Sequence, residues 1–259
     1  MLSSQQVEQF ITDGYIRIDR VFSRELANEG REILWRDMGC NQLDSKTWQK
    51  SVVWLGGYHD APFANAANTP ELLDVYDQLV GPDRWLPMHG LGTFPVRFPT
   101  DKDTGDTGWH VDASFAGPDS VVSDFLSWRV NVNSKGRALL ALFLFSDVGE
   151  LDAPTRIRVG SHMIVARLLE PLGEDGIALR SLDLISTAVC KEVVATGETG
   201  TIYLCHPFLV HAAQINRGHA PRFMAQPPLF PKKALDVLRE SPLPVYPIEA
   251  AIRRALAHS

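Results

Sequence analysis

The patterning of the chain changes character near residue 85, and that change constrains the fold more than any other feature. Before it, apolar residues recur at helical spacing between capping signals. After it, short apolar or alternating runs are broken every few residues by Gly, Pro, Asp and Asn. A mostly helical N-terminal part (residues 1–82) thus leads into a β-rich part (83–230) and a closing helical segment (231–259). Ser3 and Gln6 form a capping box ahead of Val7, Phe10 and Ile11, and Gly14 ends that helix. Ser23 caps a second helix that buries Leu26, Ile33, Leu34 and Met38 and stops at Gly39. A third opens at Thr69-Pro70, carries Leu72, Leu73, Tyr76 and Leu79, and terminates at Gly81-Pro82.

In the β-rich part, Trp128–Val132 alternates and Leu139–Phe145 is continuously apolar, with a turn at Asn133-Ser134-Lys135-Gly136 between them. Read together, these predict a hairpin with Arg129, Lys135 and Arg137 on a solvated face, where they are also able to meet an anionic group. Further strands are expected at Lys191–Ala195, Thr201–Cys205, Val210–Gln214 and Arg222–Gln226. Short helices are expected at Ile164–Leu169 and Ala234–Arg239, with a closing helix from Ile248. No internal repeat or low-complexity linker divides the 259 residues, so they read as a single domain, mainly β with flanking α-helices.

Composition narrows the function classes. A net charge of −6 and no basic cluster longer than a pair (Lys232-Lys233, Arg253-Arg254) argue against nucleic acid as a partner. Three cysteines, Cys40, Cys190 and Cys205, lie far apart without a CxxC, which points to a reducing compartment and to thiols that serve as small hydrophobes. The first residues lack the basic start and apolar run of a signal peptide, and no apolar stretch is long enough to span a bilayer. A cytoplasmic protein with a small-molecule partner is the expectation.

The chemistry sits in two segments. In Gly108-Trp109-His110-Val111-Asp112, residues two apart on an extended strand share a face, so His110 and Asp112 can aim at one ion. A second histidine from a neighbouring strand would complete a 2-His-1-carboxylate set, which leaves metal positions open and suits non-haem Fe(II). About a hundred residues later, two pairs offer a histidine followed eleven residues on by an arginine: His206 with Arg217, and His211 with Arg222. Arg217 lies in an Asn-Arg-Gly turn that should face solvent. Arg222 opens a run in which Arg222, Met224 and Gln226 share a face, and this favours the later pair. A guanidinium there can grip a dicarboxylate through two parallel charge-assisted hydrogen bonds.

These residues resemble those of the phytanoyl-CoA dioxygenase family of Fe(II)/2-oxoglutarate oxygenases. The likeness runs from Asp13-Gly-Tyr-Ile-Arg-Ile18 through the His-x-Asp segment and Ala153–His162, with its Gly160-Ser161-His162 ending, to His211, Asn216 and Pro221-Arg222. The resemblance implies a double-stranded β-helix (jelly-roll, cupin-like) core. It implies His110, Asp112 and His211 as ligands of Fe(2+), and Arg222 as partner of the far carboxylate of 2-oxoglutarate, with Thr155 as a further hydrogen-bond donor. It also implies O2 as co-substrate, ascorbate as accessory reductant, and hydroxylation rather than halogenation, since related halogenases have a small residue where Asp112 stands. Val159 replaces the proline that often precedes Gly-Ser-His in the family, and no basic cluster suits the phosphates of coenzyme A. Trp109 should point to the opposite face from His110 and pack outside the barrel, and His162 and His206 either edge the pocket or make structural hydrogen bonds. Tyr58, His59, His89, Arg97 and Trp128 are further candidates for its mouth, with packing roles ahead for each; His219 and His258 read as solvated. Two other classes fit the same motifs: a cupin-like isomerase or epimerase that uses its metal as a Lewis acid, and a non-catalytic jelly-roll binding protein.

Overall fold

The computed structural model describes residues 1–237 and 245–257. The N-terminal helices begin and end where their capping residues dictate. In α1 (Ser4–Asp13) Ser3 and Gln6 cap each other's backbone, and Gly14 closes the helix at φ +83°. After β1 (Tyr15–Ile18), α2 (Arg24–Met38) is capped by Ser23 and ends at Gly39 in the left-handed region. The chain continues through β2 (Val52–Leu55), α3 (Ala61–Ala67), α4 (Pro70–Val80, capped by Thr69) and β3 (Phe94–Arg97). Then follow β4 (Arg129–Val130), β5 (Leu139–Leu144), β6 (Arg156–Arg158), α5 (Ser161–Leu169), β7 (Ile177–Ala178) and β8 (Glu192–Val194). The chain closes with β9 (Ile202–Cys205), β10 (His211–Ala212), β11 (Met224–Ala225), β12 (Pro228–Leu229) and α6 (Pro247–Ala257).

Two antiparallel sheets organise the molecule. The larger runs β1-β9-β5-β11, with β12 also on β5; the smaller runs β10-β6-β8. The pleat of β5 decides the layering, because successive side chains point to opposite faces. Leu140, Leu142 and Leu144 join Tyr203, Cys205 and Met224 of the large sheet and Ile157 of the small one in a single apolar cluster, so the sheets enclose a common interior. Leu139, Ala141 and Phe143 point the other way, into a second core with Phe10, Leu34, Phe63, Leu72, Leu79 and Ile252 of the helices. That helical layer is pinned by Glu249, fully buried, whose carboxylate takes both guanidinium nitrogens of Arg84 and the amide of Asp236.

Three expectations need correction. Strands are only two to six residues long and helical residues outnumber them, so the fold is mixed α and β rather than mainly β. Within residues 1–82, β1 and β2 also lie in sheets, between the helices. The hairpin across Asn131–Arg137 does not form. β4 pairs instead with β7, held by Arg129 donating to the carbonyls of Asp175 and Gly176, and β5 belongs to the other sheet. Residues 234–237 are not helical, and the rest of the expected Ala234–Arg239 helix lies outside the described residues, as does His258.

Candidate metal centre

His110 sits on an extended segment that adds to the free edge of the small sheet. Its backbone exchanges both hydrogen bonds with His211 at the start of β10, at 3.0 and 2.9 Å. Residues opposed in this way send their side chains to the same face. The two rings accordingly lie 4.4 Å apart between centroids, and Asp112, two residues on from His110, turns to the same side. One ligating atom from each of His110, Asp112 and His211 lies within 4.8 Å of the others. Asp112 Oδ1 is 3.8 Å from His211 Nε2.

The tautomers follow from the backbone. His110 Nδ1 lies 2.9 Å from the Gly108 carbonyl, and His211 Nδ1 lies 2.9 Å from that of Leu209. A carbonyl oxygen only accepts, so each ring donates its proton there and keeps the Nε2 lone pair for the cluster. This is the support that metal-binding imidazoles commonly have. Burial, then His110, pushes the pKa of His211 down to about 4 despite Asp112, so its lone pair is free at neutral pH. Burial alone would raise the Asp112 carboxyl, but Arg137 first, and the two histidines after it, bring it below the usual carboxylate range.

Trp109 points away, half-buried against the helical core, with the Arg156 and Arg158 guanidinium groups 4.6 and 4.2 Å from its ring centroid. These contacts steady the residue directly before His110. His206 lies elsewhere. Its Nε2 donates to the Ile248 carbonyl at 3.2 Å and its Nδ1 accepts from Phe208 N at 3.2 Å, so both ring nitrogens serve the backbone. His162, 5.0 Å from His206 between ring centroids, donates from Nε2 to the Ile11 carbonyl.

Arg222 is 1% exposed, whereas Arg217 faces solvent. Arg222 donates to the carbonyls of Ala153 (2.5 Å) and Pro95 (3.2 Å), its Nε is unpartnered, and among the described residues no carboxylate pairs with it. The Ala153 carbonyl is turned to it by a non-glycine residue at φ +54°. Burial, then the like charge of Arg97, depresses the Arg222 pKa to about 9; an arginine still keeps its proton at neutral pH. Neighbouring Arg97 is neutralised by Asp106. Thr155, also buried, has among the described residues only the weak acceptor Met224 Sδ, 3.9 Å away, for its hydroxyl. Asn216 braces the loop before Arg222 through the carbonyls of Arg97 and Ala220.

Of the remaining expected rim residues, Tyr58 packs on Phe63 and Phe94, His59 contacts the His89 carbonyl, and Trp128 packs at a tilt on Phe125. His219 is exposed. The reading of Arg137 as part of a solvated face is overturned, because its Nη1 lies 3.2 Å from Asp112 Oδ2 with the side chain 15% exposed. No spacing signal in the sequence links the two, since the contact depends on how the 131–137 turn folds back.

No protein-family model matches the chain, and no curated protein matches it in sequence. Solved structures do match in fold. HygX from Streptomyces hygroscopicus, with nickel and 2-oxoglutarate bound, aligns over 95% of this chain and 96% of its own at 18% identity and a TM-score of 0.60. The non-heme alpha-ketoglutarate-dependent epimerase SnoN from nogalamycin biosynthesis aligns over 88% and 82%, at 18% identity and a TM-score of 0.58. The carbocyclase SnoK of the same biosynthesis, also non-heme and alpha-ketoglutarate dependent, aligns over 89% and 84%, at 18% identity and 0.52. The chain shares its fold with these three proteins, and a His-Asp-His cluster is present in it.

Proposed function

We propose that the chain is an Fe(II)- and 2-oxoglutarate-dependent oxygenase that oxidises a C–H bond of a small metabolite or natural-product intermediate, as a single domain around a jelly-roll core. One conjunction carries the reading: three converging donor atoms with free lone pairs, and a buried guanidinium that pairs with no carboxylate among the described residues. A buried unpaired charge is costly. A dicarboxylate that supplies the missing anion is what this site fits.

His110, Asp112 and His211 would hold the ion, two neutral imidazoles and one carboxylate matching the donor set that ferrous iron favours. Arg222 would take the far carboxylate of 2-oxoglutarate through its fork, with the Thr155 hydroxyl beside it. Bound together, iron, 2-oxoglutarate and dioxygen supply substrate oxidation coupled to decarboxylation of the keto acid to succinate and CO2. The chain's own share is orientation: the Nδ1–H bonds fix both rings and the Trp109 stack fixes the ligand segment. The motif order resembling the phytanoyl-CoA dioxygenase branch supports the same reading. So do neighbours solved with hygromycin B or nogalamycin RO bound, which are small natural products. Because SnoN and SnoK are named as an epimerase and a carbocyclase, epimerisation or ring closure is the second outcome for this site.

Succinate release measured with Fe(II), 2-oxoglutarate, ascorbate and a library of small metabolites tests the proposal. Iron-dependent succinate formation, stimulated by at least one compound, is expected. Metal-dependent isomerisation without succinate would replace it with the Lewis-acid alternative.

A further inference from the structure

Arg137 is the charged group nearest the triad that the proposed function leaves without a role. Its position is built rather than incidental. The turn that carries it is closed by Ser134, fully buried at φ +40°, whose hydroxyl donates to the Arg137 carbonyl. Asn131, also buried, anchors the start of the turn through the Glu174 carbonyl and the Lys135 amide. The end of the turn is pressed onto the residues that follow Asp112. Gly136 N donates to Ser114 Oγ at 3.0 Å, and Arg137 Nε donates to the Ala113 carbonyl at 3.1 Å. The approach is so close that a Cβ on Gly136 would stand 1.7 Å from the Ser114 carbonyl oxygen. A strained residue, a required glycine and two hydrogen bonds thus deliver one guanidinium to one carboxylate oxygen.

The two oxygens of Asp112 have different surroundings. Oδ1 faces His211 Nε2, whereas Oδ2 is buried without a hydrogen bond and has the Arg137 nitrogen at 3.2 Å as its charged neighbour. We infer that Arg137 is a positioning residue for the metal centre, holding Asp112 Oδ2 so that the carboxylate ligates through Oδ1 alone. The inference rests on the proposed reading of the triad as a metal site. Its consequence is one of counting. On a six-coordinate ion three protein donors would leave three positions open, enough for a chelating keto acid and one more ligand, whereas a bidentate Asp112 would leave only two.

The test uses Co(II) alone as probe, read by its visible ligand-field spectrum, followed by titration with 2-oxoglutarate under argon. The wild type, Arg137→Met and Arg137→Lys are compared, with Arg222→Met as control. Arg137→Met is expected to bind Co(II) with an altered metal-only spectrum and to bind 2-oxoglutarate about 10- to 100-fold more weakly, the usual scale for losing an outer partner of a ligand. Arg137→Lys, which keeps the charge without the fork, should fall between. Arg222→Met should weaken 2-oxoglutarate while leaving the metal-only spectrum as in the wild type. A merely structural role for Arg137 would lower thermal stability without moving that spectrum. An Arg137→Met spectrum and 2-oxoglutarate affinity both matching the wild type would overturn the inference. If Arg137→Met does not fold, an unaltered spectrum in Arg137→Lys does the same. A wild type that takes up no Co(II) would instead overturn the metal reading itself.

Discussion

Replacing Arg222 by methionine should stabilise the ligand-free protein while disabling it. The guanidinium is buried with no anion, and the fall of its pKa from 12.5 to about 9 corresponds to a penalty on the order of 5 kcal/mol. Removing it leaves the carbonyls of Ala153 and Pro95 without a donor, which costs about 1–2 kcal/mol each. A nearly isosteric apolar side chain therefore gains roughly 1–3 kcal/mol net, or a rise in Tm of several degrees for a chain of this size. In the loaded protein the balance reverses. Losing a desolvated charge pair costs about 3–5 kcal/mol, so the Kd for 2-oxoglutarate should rise roughly 10²- to 4 × 10³-fold. Thermal melts of the metal-free protein and anaerobic calorimetric titration of the metal-loaded protein read the two effects separately. An Arg222→Met protein that is less stable than the wild type, or that binds 2-oxoglutarate equally well, would refute the reasoning.

Other outcomes follow from the same physics. Burial holds the His162 pKa at about 4, against the opposing bond to the Ile11 carbonyl, compared with 6.5 when unfolded. The unfolded chain therefore takes up a proton first. Its contribution is complete above pH 6.5 and is lost as pH falls toward 4, by about 3 kcal/mol. His206 is shifted the same way, by burial and then by His162. Urea unfolding at pH 7 and pH 5 should show the loss, and a flat profile would contradict it. Glu249→Ala strands Arg84 and should cost about 3 kcal/mol in chemical denaturation, with a loss below 1 kcal/mol arguing against a structural ion pair. Gly136→Ala should cost about 1–3 kcal/mol by overpacking against Ser114, and an unchanged midpoint would show that the turn yields freely.

Local signals in the sequence carried the helices well, because caps and glycine stops act over a few residues: Ser3, Ser23 and Thr69 cap as their spacing predicts. The His110–Asp112 pair was equally legible, since alternation on an extended strand is a local rule. Choosing His211 over His206 drew on the face that Arg222 shares with Met224. The structure adds what that rule lacked, namely that both ring nitrogens of His206 are taken by the backbone. What the sequence hid is tertiary. The 131–137 turn looks like a hairpin because its polar residues are typical of one, yet Asn131 and Ser134 are buried and the flanking strands belong to different sheets. Arg137 was placed on a solvated face for that reason. Nor does any local pattern announce that Arg156 and Arg158, alternating on β6, would clasp Trp109.

Anaerobic Fe(II) titration of the wild type, His211→Ala and His206→Ala tests the central claim most directly. One ion per chain is expected in the wild type and in His206→Ala, and none held tightly in His211→Ala. Iron retained by His211→Ala but lost by His206→Ala would contradict it.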